Sequence, residues 1–372
     1  RFAEWQAEFA ITYPDETARQ AAYAIWLPRF EAVLDKEKAY ADGTSTYFTR
    51  LTQFSDRIDE DKHIKLTGLR EALLEPHEEP QRSLPRANYT RGRRLTALPA
   101  VSTASSADWR PWLTGAEQQS PCEGSCWAFT TSATVTGAFH LTEALANNFN
   151  DYPKGWLKER LQSAQMLMDC NAGWEDSDGG TTCDLGGSVM KAMASISKSG
   201  KLEGVVLEAD QPWKAGDYPC KPNTKKTTLS CTMPNGRKAN GCNSRSSNPY
   251  MCPDASSMSN DQYKIQLKEM AEYAPVGLAL TACSIPGNYA GGVVSQEAAN
   301  QYCGGETKPD HAVTLVGWGY DSKTKLNYWL IRNSWSQSWG ENGHMRIQQV
   351  ANIMNIKSFD PCIPLGPQDP RS

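Results

Sequence analysis

Ser125-Cys126-Trp-Ala-Phe129 opens a proline-free run to Leu145 with apolar residues at helical spacing, so a helix is expected to start at Cys126 with Ser125 as its N-cap. A cysteine at a helix N-terminus faces backbone N–H groups and the positive end of the helix dipole. Both stabilise a thiolate, which makes Cys126 the candidate nucleophile. Of the five histidines, His63 and His77 precede every cysteine, which leaves His140, His311 and His344 as candidate bases. The strand-like runs Ala312–Trp318 and Asn327–Arg332 flank a turn-rich Gly319–Lys325. An antiparallel hairpin turning about Ser322 would set His311 opposite Asn333. A side-chain amide beside an imidazole fixes its tautomer and direction, which completes a nucleophile, base and orienting group from Cys126, His311 and Asn333.

The elements that must position this trio follow from composition. With 39% hydrophobic and 22% charged residues and a net charge of −4, the chain reads as one to three globular domains without a nucleic-acid footprint or a membrane span. Residues 1–80 are expected to be mainly helical, in stretches such as Ala18–Leu27 and Pro28–Tyr40. Their apolar face comprises Tyr23, Trp26, Leu27, Phe30, Val33 and Leu34. Residues 81–97 carry Arg82, Arg86, Arg91, Arg93 and Arg94 and no acid, the signature of an exposed, cleavable connector. Further helices are expected at Ser163–Cys170 and Ser188–Ser197. Residues 221–260 are loop-rich and insertion-like, with Cys231, Cys242 and Cys252. The cysteine total of eleven is odd, so in a disulfide-permissive setting at least one thiol stays unpaired within the chain.

Gln119-Ser-Pro-Cys122-Glu-Gly-Ser-Cys126-Trp-Ala-Phe129 resembles the nucleophile motif of the papain-like cysteine proteases. The resemblance continues through Gln165-Met-Leu-Met-Asp-Cys170, Asp310-His311-Ala-Val, Val316-Gly-Trp-Gly319, Asn333-Ser-Trp335 and Ser338–Ile347, in family order over nearly the whole chain. It implies an α+β catalytic unit, 98–372, with a helical half, a β-barrel-like half and the site between them. It implies catalytic roles for Cys126, His311 and Asn333, with Gln119 donating to the oxyanion and Trp335 shielding the histidine–asparagine bond. Gly187 would pair with the substrate backbone, Asp310 and Trp335 would belong to the substrate-binding set, and Val189, Ala279 and Ala312 would line the pocket for the second residue before the cut. The implied disulfides are Cys122–Cys183, Cys170–Cys220 and Cys303–Cys362, with Cys231, Cys242, Cys252 and Cys283 left open to two further bridges in any of three pairings. Two departures stand out: three residues rather than two separate Cys122 from Cys126, and one extra residue precedes Gly186-Gly187 after Cys183.

Asp15, Arg19, Tyr23, Trp26, Phe30 and Leu34 follow the spacing of the helical signature of cathepsin L-type propeptides. Phe54-Ser-Asp56 is similar to a second propeptide motif, and Leu98-Pro99 to a mature start. The resemblance therefore implies a zymogen with an inhibitory propeptide, 1–97. Carboxylates such as Asp56, if paired in the folded precursor, would make docking strong near neutrality and weak in acid. The expected activity is peptide-bond hydrolysis by a monomeric endopeptidase that needs no metal or cofactor. Its partners would be peptide and protein substrates, its own propeptide and protein inhibitors of cysteine proteases. An acidic compartment such as a lysosome or vacuole, or secretion, would fit. The insertion lies near the place of the cathepsin B occluding loop but holds no histidine to grip a carboxylate, which favours endopeptidase over exopeptidase action. The rival classes are a catalytically dead binding or storage homologue and a thiol–disulfide oxidoreductase. Intact Cys126, His311 and Asn333 argue against the first, and the lack of Cys-x-x-Cys at Cys122/Cys126 against the second.

Overall fold

The computed structural model describes residues 1–53, 55–56, 106–146, 161–173, 182–197, 200, 202–221, 226–229, 250–286, 288–302, 308–364 and 367–368. The basic connector 81–97, Leu98-Pro99, Phe54, Cys231, Cys242 and Cys303 lie outside the described residues.

The N-terminal segment folds as α1 (Phe2–Glu8) and α2 (Glu16–Ala41). Asp15 caps α2 by accepting the Ala18 N–H at 2.8 Å. The two stretches expected on either side of Pro28 form one helix that runs through the proline, and Trp26 stacks on Phe30 across it with ring centroids 5.0 Å apart. The buried stripe is narrower than the sequence face. Trp26 and Val33 are buried, whereas Tyr23 and Leu34 are 41% and 50% exposed. Ala22 and Trp26 instead pack on Phe2 and Trp5 of α1, and the Trp5 Nε1–H donates to the Thr52 carbonyl at 3.0 Å.

This small aromatic core docks on the rest of the molecule as a strand. β1 (Tyr47–Thr49) pairs antiparallel with β6 (Tyr289–Val294). The approach depends on Gly291 and Gly292. A Cβ at Gly291 would sit 2.6 Å from the Phe48 ring, and one at Gly292, whose φ is +87°, 2.6 Å from the Thr46 carbonyl oxygen. Around the strand, Arg50 donates to the Gly340 carbonyl at 2.7 Å, and the Lys323 ammonium sits 3.5 Å from the centre of the Tyr40 ring. Asp56 is paired with a phenol: it accepts from the Tyr13 hydroxyl at 2.6 Å within the same segment.

The helical half is built on α3 (Cys126–Ala146), with α4 (Ala164–Asp169) and α5 (Val189–Ser195) packed against it. Ser163 and Ser188 cap α4 and α5 through their hydroxyls. Ser125 does not cap α3: residues 123–125 form a 3-10 turn that runs into the helix, and the Ser125 hydroxyl donates back to the Cys122 carbonyl at 2.5 Å. Trp127, Met166, Leu167, Val189 and Met193 fill this core.

The β-rich half is a seven-stranded sheet in the order β1-β6-β9-β8-β7-β2, with β5 also paired to β7. Its strands are β2 (Ala107–Asp108), β5 (Val276–Leu280), β6, β7 (His311–Asp321), β8 (Leu326–Arg332) and β9 (His344–Gln348), with β1 from the N-terminal segment. Among the described residues it does not close on itself, so the barrel-like half is an open sheet. The helix α6 (Asn260–Tyr273), started by a Ser259/Gln262 capping box, packs on β5 and β7.

Two expectations are corrected by the pairing. β7 and β8 pair Trp318 with Trp329 and Asp321 with Leu326, so the turn covers 322–325 and closes on Lys325 at φ +60°. A bulge between Leu315 and Gly317 shifts the ladder again. His311 therefore lies opposite Leu280 of β5, not opposite Asn333. The second correction concerns Cys362, which bonds to Cys252 rather than Cys303. β10 (Ile363–Pro364) pairs with β4 (Tyr250–Met251), and the Ile363–Met251 rung brings the Cα atoms of Cys362 and Cys252 to 4.3 Å. The C-terminal strands thus fasten the insertion, because β11 (Pro367–Gln368) likewise pairs with β3 (Thr228–Leu229). Cys283 is disulfide-bonded.

Because Trp26 is the centre of the N-terminal core, Trp26→Ala should cost about 3–5 kcal/mol in that segment. Differential scanning calorimetry of the full chain should show the loss as an earlier transition while the main one stays put. Unchanged melting would contradict the assignment of a separate core to residues 1–56.

Candidate active site

Cys126 takes part in no disulfide and is buried at the first turn of α3. Its Sγ accepts the backbone N–H of Ala312 at 3.3 Å, so the start of the helix meets the start of β7. His311 is the residue before Ala312, and its Nε2 lies 2.8 Å from Asn333 Oδ1. The same amide oxygen accepts the Ser334 N–H at 2.8 Å, which makes it the acceptor of both bonds. Nε2 therefore carries the ring hydrogen, and Nδ1 is the nitrogen that can exchange a proton with a thiol. Trp335 stacks on the His311 ring, centroids 5.1 Å apart, and Trp339 meets Trp335 edge-on at 5.2 Å. His311, Asn333 and Trp335 are all at most 6% exposed, so this contact operates away from bulk water. The arrangement can generate a thiolate–imidazolium pair and deliver a proton at the same point.

Gln119 sits beside the site, fully buried, with the loop and the strand end holding it from both sides. Its backbone N–H donates to the Ser334 carbonyl at 2.9 Å, its Oε1 accepts from the Ser334 hydroxyl at 2.6 Å, and its Nε2 donates to the Glu123 carbonyl at 2.5 Å. The lengthened Cys122–Cys126 loop thus supplies an acceptor for one of the two amide hydrogens. Cys122 is bonded to Cys183, which ties this loop to the segment leading to Gly187, and Cys170 is bonded to Cys220.

The expected substrate-side residues divide into two groups. Gly187 lies against Trp127, next to the thiol, where a Cβ would meet the indole at 2.5 Å, so no larger residue fits. Ala279 and Ala312 are opposite one another on β5 and β7, and Val189 approaches Gly277 on the same strand. All three are fully buried. Asp310 accepts the Ala282 N–H at 2.7 Å.

Three charged groups near the site have no counterpart among the sequence candidates. Arg332, which ends β8 just before Asn333, is 4% exposed and pairs with Glu117 at 3.3 Å. Glu208 accepts the Trp213 N–H at 2.6 Å, and burial, reinforced by the charge of Glu117, pushes its carboxyl up to about 7. A charged residue closing an apolar strand, as Arg332 closes Tyr328–Ile331, was the available signal for the first pair. Glu208 sits in no motif that would have singled it out.

A family model described as papain family cysteine protease matches residues 103–361. The chain belongs to that family. Digestive cysteine proteinase 1 of Homarus americanus is 25% identical over 97% of this chain and 93% of its own. Fruit bromelain of Ananas comosus is 28% identical over 93% of this chain and 80% of its own. Among solved structures, the digestive procathepsin L2 proteinase from the Tenebrio molitor larval midgut superposes with a TM-score of 0.67 at 23% identity, covering 98% of each chain. The papain-like α+β fold is thereby shared, the N-terminal helices α1 and α2 included.

Glu208 gives this family member a pH signature of its own. A carboxyl raised from 4.5 to about 7 by burial is neutral in the folded chain while the unfolded chain ionises, so stability falls as pH rises from about 4.5 to about 7. The loss is on the order of 2–3 kcal/mol. Glu208→Gln should keep the Trp213 bond and remove the loss, so its melting temperature should exceed that of the unaltered chain increasingly across this window. A difference that stays constant from pH 4 to 8 would contradict the burial argument.

Proposed function

We propose that this protein is the precursor of a cysteine endopeptidase, with residues 1–97 as an inhibitory propeptide and 98–372 as the catalytic unit. The observation that carries the proposal is the junction of the Cys126 thiol with the start of β7, where the His311–Asn333 bond sets the ring's tautomer. In this mechanism the Cys126 thiolate attacks the peptide carbonyl and forms a C–S bond. The His311 imidazolium then gives its Nδ1 proton to the leaving amine as the C–N bond breaks. Water, deprotonated by the same imidazole, hydrolyses the thioester and releases the thiol. Asn333 orients His311 and does not itself exchange a proton, and Trp335 keeps water from the bond between them. The second Nε2 hydrogen of Gln119 serves the oxyanion.

Support for the precursor form comes from β1, which is docked on β6 by backbone bonds that a separate folding aid would not need, and from the full-length match to a procathepsin fold. The segment that would run through the cleft falls between 57 and 105. Released by acid or by cleavage in the basic connector, the unit would act on peptides and proteins and would be open to protein inhibitors of cysteine proteases. The disulfides fit an oxidising setting such as a lysosome, an acidic vacuole or the exterior. No helix among the described residues is long and apolar enough to cross a membrane.

Val189, Ala279 and Ala312 are uncharged, and burying an unpaired charge against them costs more than apolar contact gains. Substrates with Leu, Val or Phe two residues before the cut should therefore exceed those with Arg by at least about tenfold in kcat/KM. A peptide-library profile of the acid-activated chain measures this, with Cys126→Ala as the blank. Turnover by Cys126→Ala above background, or a profile led by Arg, would overturn the assignment.

A further inference from the structure

Arg332 and Glu117 make a buried pair that the proposed mechanism does not use, and its location is specific. Arg332 is the residue immediately before Asn333, and Glu117 stands two residues before Gln119. The guanidinium spans the segment 114–117: it donates to the carbonyl oxygens of Thr114 and, at 2.9 Å, Gly115, and to Glu117 Oε2 at 3.3 Å. The two chain segments are joined again on the far side of Asn333. There the Gln119 N–H donates to the Ser334 carbonyl, the Ser334 hydroxyl to Gln119 Oε1, and the Ser336 N–H to the Glu117 carbonyl at 2.9 Å. Asn333 thus sits between two clamps that tie the strand end to the loop carrying Gln119.

A small cavity borders Asn333, lined also by Glu117, Arg332 and Thr314 and by Phe129 and Thr130 of α3. The Asn333 amide oxygen is held by polar contacts, to the His311 ring and the Ser334 N–H, next to the two clamps. The charge environment agrees with a pair held for geometry rather than for stability. Burial raises the Glu117 carboxyl while Arg332 pulls it back, and Glu208 and His344 both feel the pair from neighbouring elements. Taking two charges out of water for a contact at 3.3 Å yields little net stabilisation.

We propose that Arg332 and Glu117 are positioning residues for the hydrolysis: they hold the Asn333 amide, and through it the His311 ring, in register with the Gln119 loop and the Cys126 thiol. This rests on the assignment of Cys126, His311 and Asn333 made above. A ring displaced by a fraction of an ångström still binds substrate but delivers its proton poorly, so the effect belongs in kcat rather than KM.

The test uses the full chain after acid activation, with active sites counted by a labelled epoxide. Four variants are compared: Arg332→Met, Arg332→Lys, Glu117→Gln and the double variant Glu117→Gln/Arg332→Met. Arg332→Met should lower kcat per titrated site by about 10–100-fold with KM within about threefold. Arg332→Lys keeps a charge for Glu117 but loses the fork to the two carbonyls, and should fall between. The double variant leaves no lone buried charge, so its melting temperature should return to near that of the unaltered chain while kcat stays low. If Arg332→Met fails to fold, the double variant and Arg332→Lys carry the same comparison. Recovery of kcat together with melting temperature in the double variant would reduce the pair to a structural role and overturn the proposal, as would a kcat for Arg332→Met within twofold of the unaltered chain. An epoxide that labels the unaltered chain elsewhere than Cys126 would overturn the underlying assignment instead.

Discussion

The contact between the Cys126 thiol and the first residues of β7 is the constraint on which the rest of the structure depends. The proposed nucleophile, Cys126, and the proposed base, His311, come from different halves with separate cores, one packed around Trp127 and the helices, the other around the sheet and Trp329, Trp339 and Ile331. A helix N-terminus can present a thiol, but only a strand from the other half can bring an imidazole to it. The contacts at the seam are the Ala312 N–H on the sulfur, the Asn333 oxygen on the His311 ring, the indole of Trp335 stacked on that ring, and the Gln119–Ser334 bonds. Rigidity here is chemical economy, since a proton transferred within one contact needs no rearrangement at the moment of reaction.

Much of this was legible in the sequence, and the exceptions have physical causes. The helix beginning at Cys126 followed from a proline-free apolar run, and the strands around His311 and Asn333 from their composition. Their register did not. Gly317, at φ +153°, allows the Ala107 carbonyl oxygen to come within 2.0 Å of where a Cβ would stand, and the resulting bulge shifts the ladder without any mark in the alternation of side chains. His311 and Asn333 still meet, because Asn333 lies beyond the end of β8, where its side chain is free of the ladder's alternation. The Cys252–Cys362 bond was hidden for a similar reason: it is set by a two-residue pairing between an insertion and the C-terminus, a contact across 110 residues that spacing does not encode. Arg332 and Glu117 are further apart still in sequence, and only the fold shows that they clamp one loop.

The N-terminal segment pairs with the same sheet that carries His311. β6 presents Gly291 and Gly292 at an open edge, and β1 occupies it with the Phe48 ring over the glycines. An edge strand left bare is a pairing hazard, and β1 covers that edge of β6 with the chain's own segment. The segment's own core is a cluster of aromatic rings, and its contacts among the described residues include the β1 strand, the Arg50 guanidinium on the Gly340 carbonyl, the Lys323 ammonium over the Tyr40 ring and the Ser55 hydroxyl on the Asn288 amide oxygen.

The most direct measurement is the position of covalent modification by a labelled epoxide probe of cysteine proteases, mapped by mass spectrometry on the full chain before and after acid treatment. A single adduct on Cys126, formed rapidly after acid and slowly before it, is what this account predicts. An adduct on another cysteine, no adduct at all, or labelling of Cys126 at the same rate without acid would contradict it.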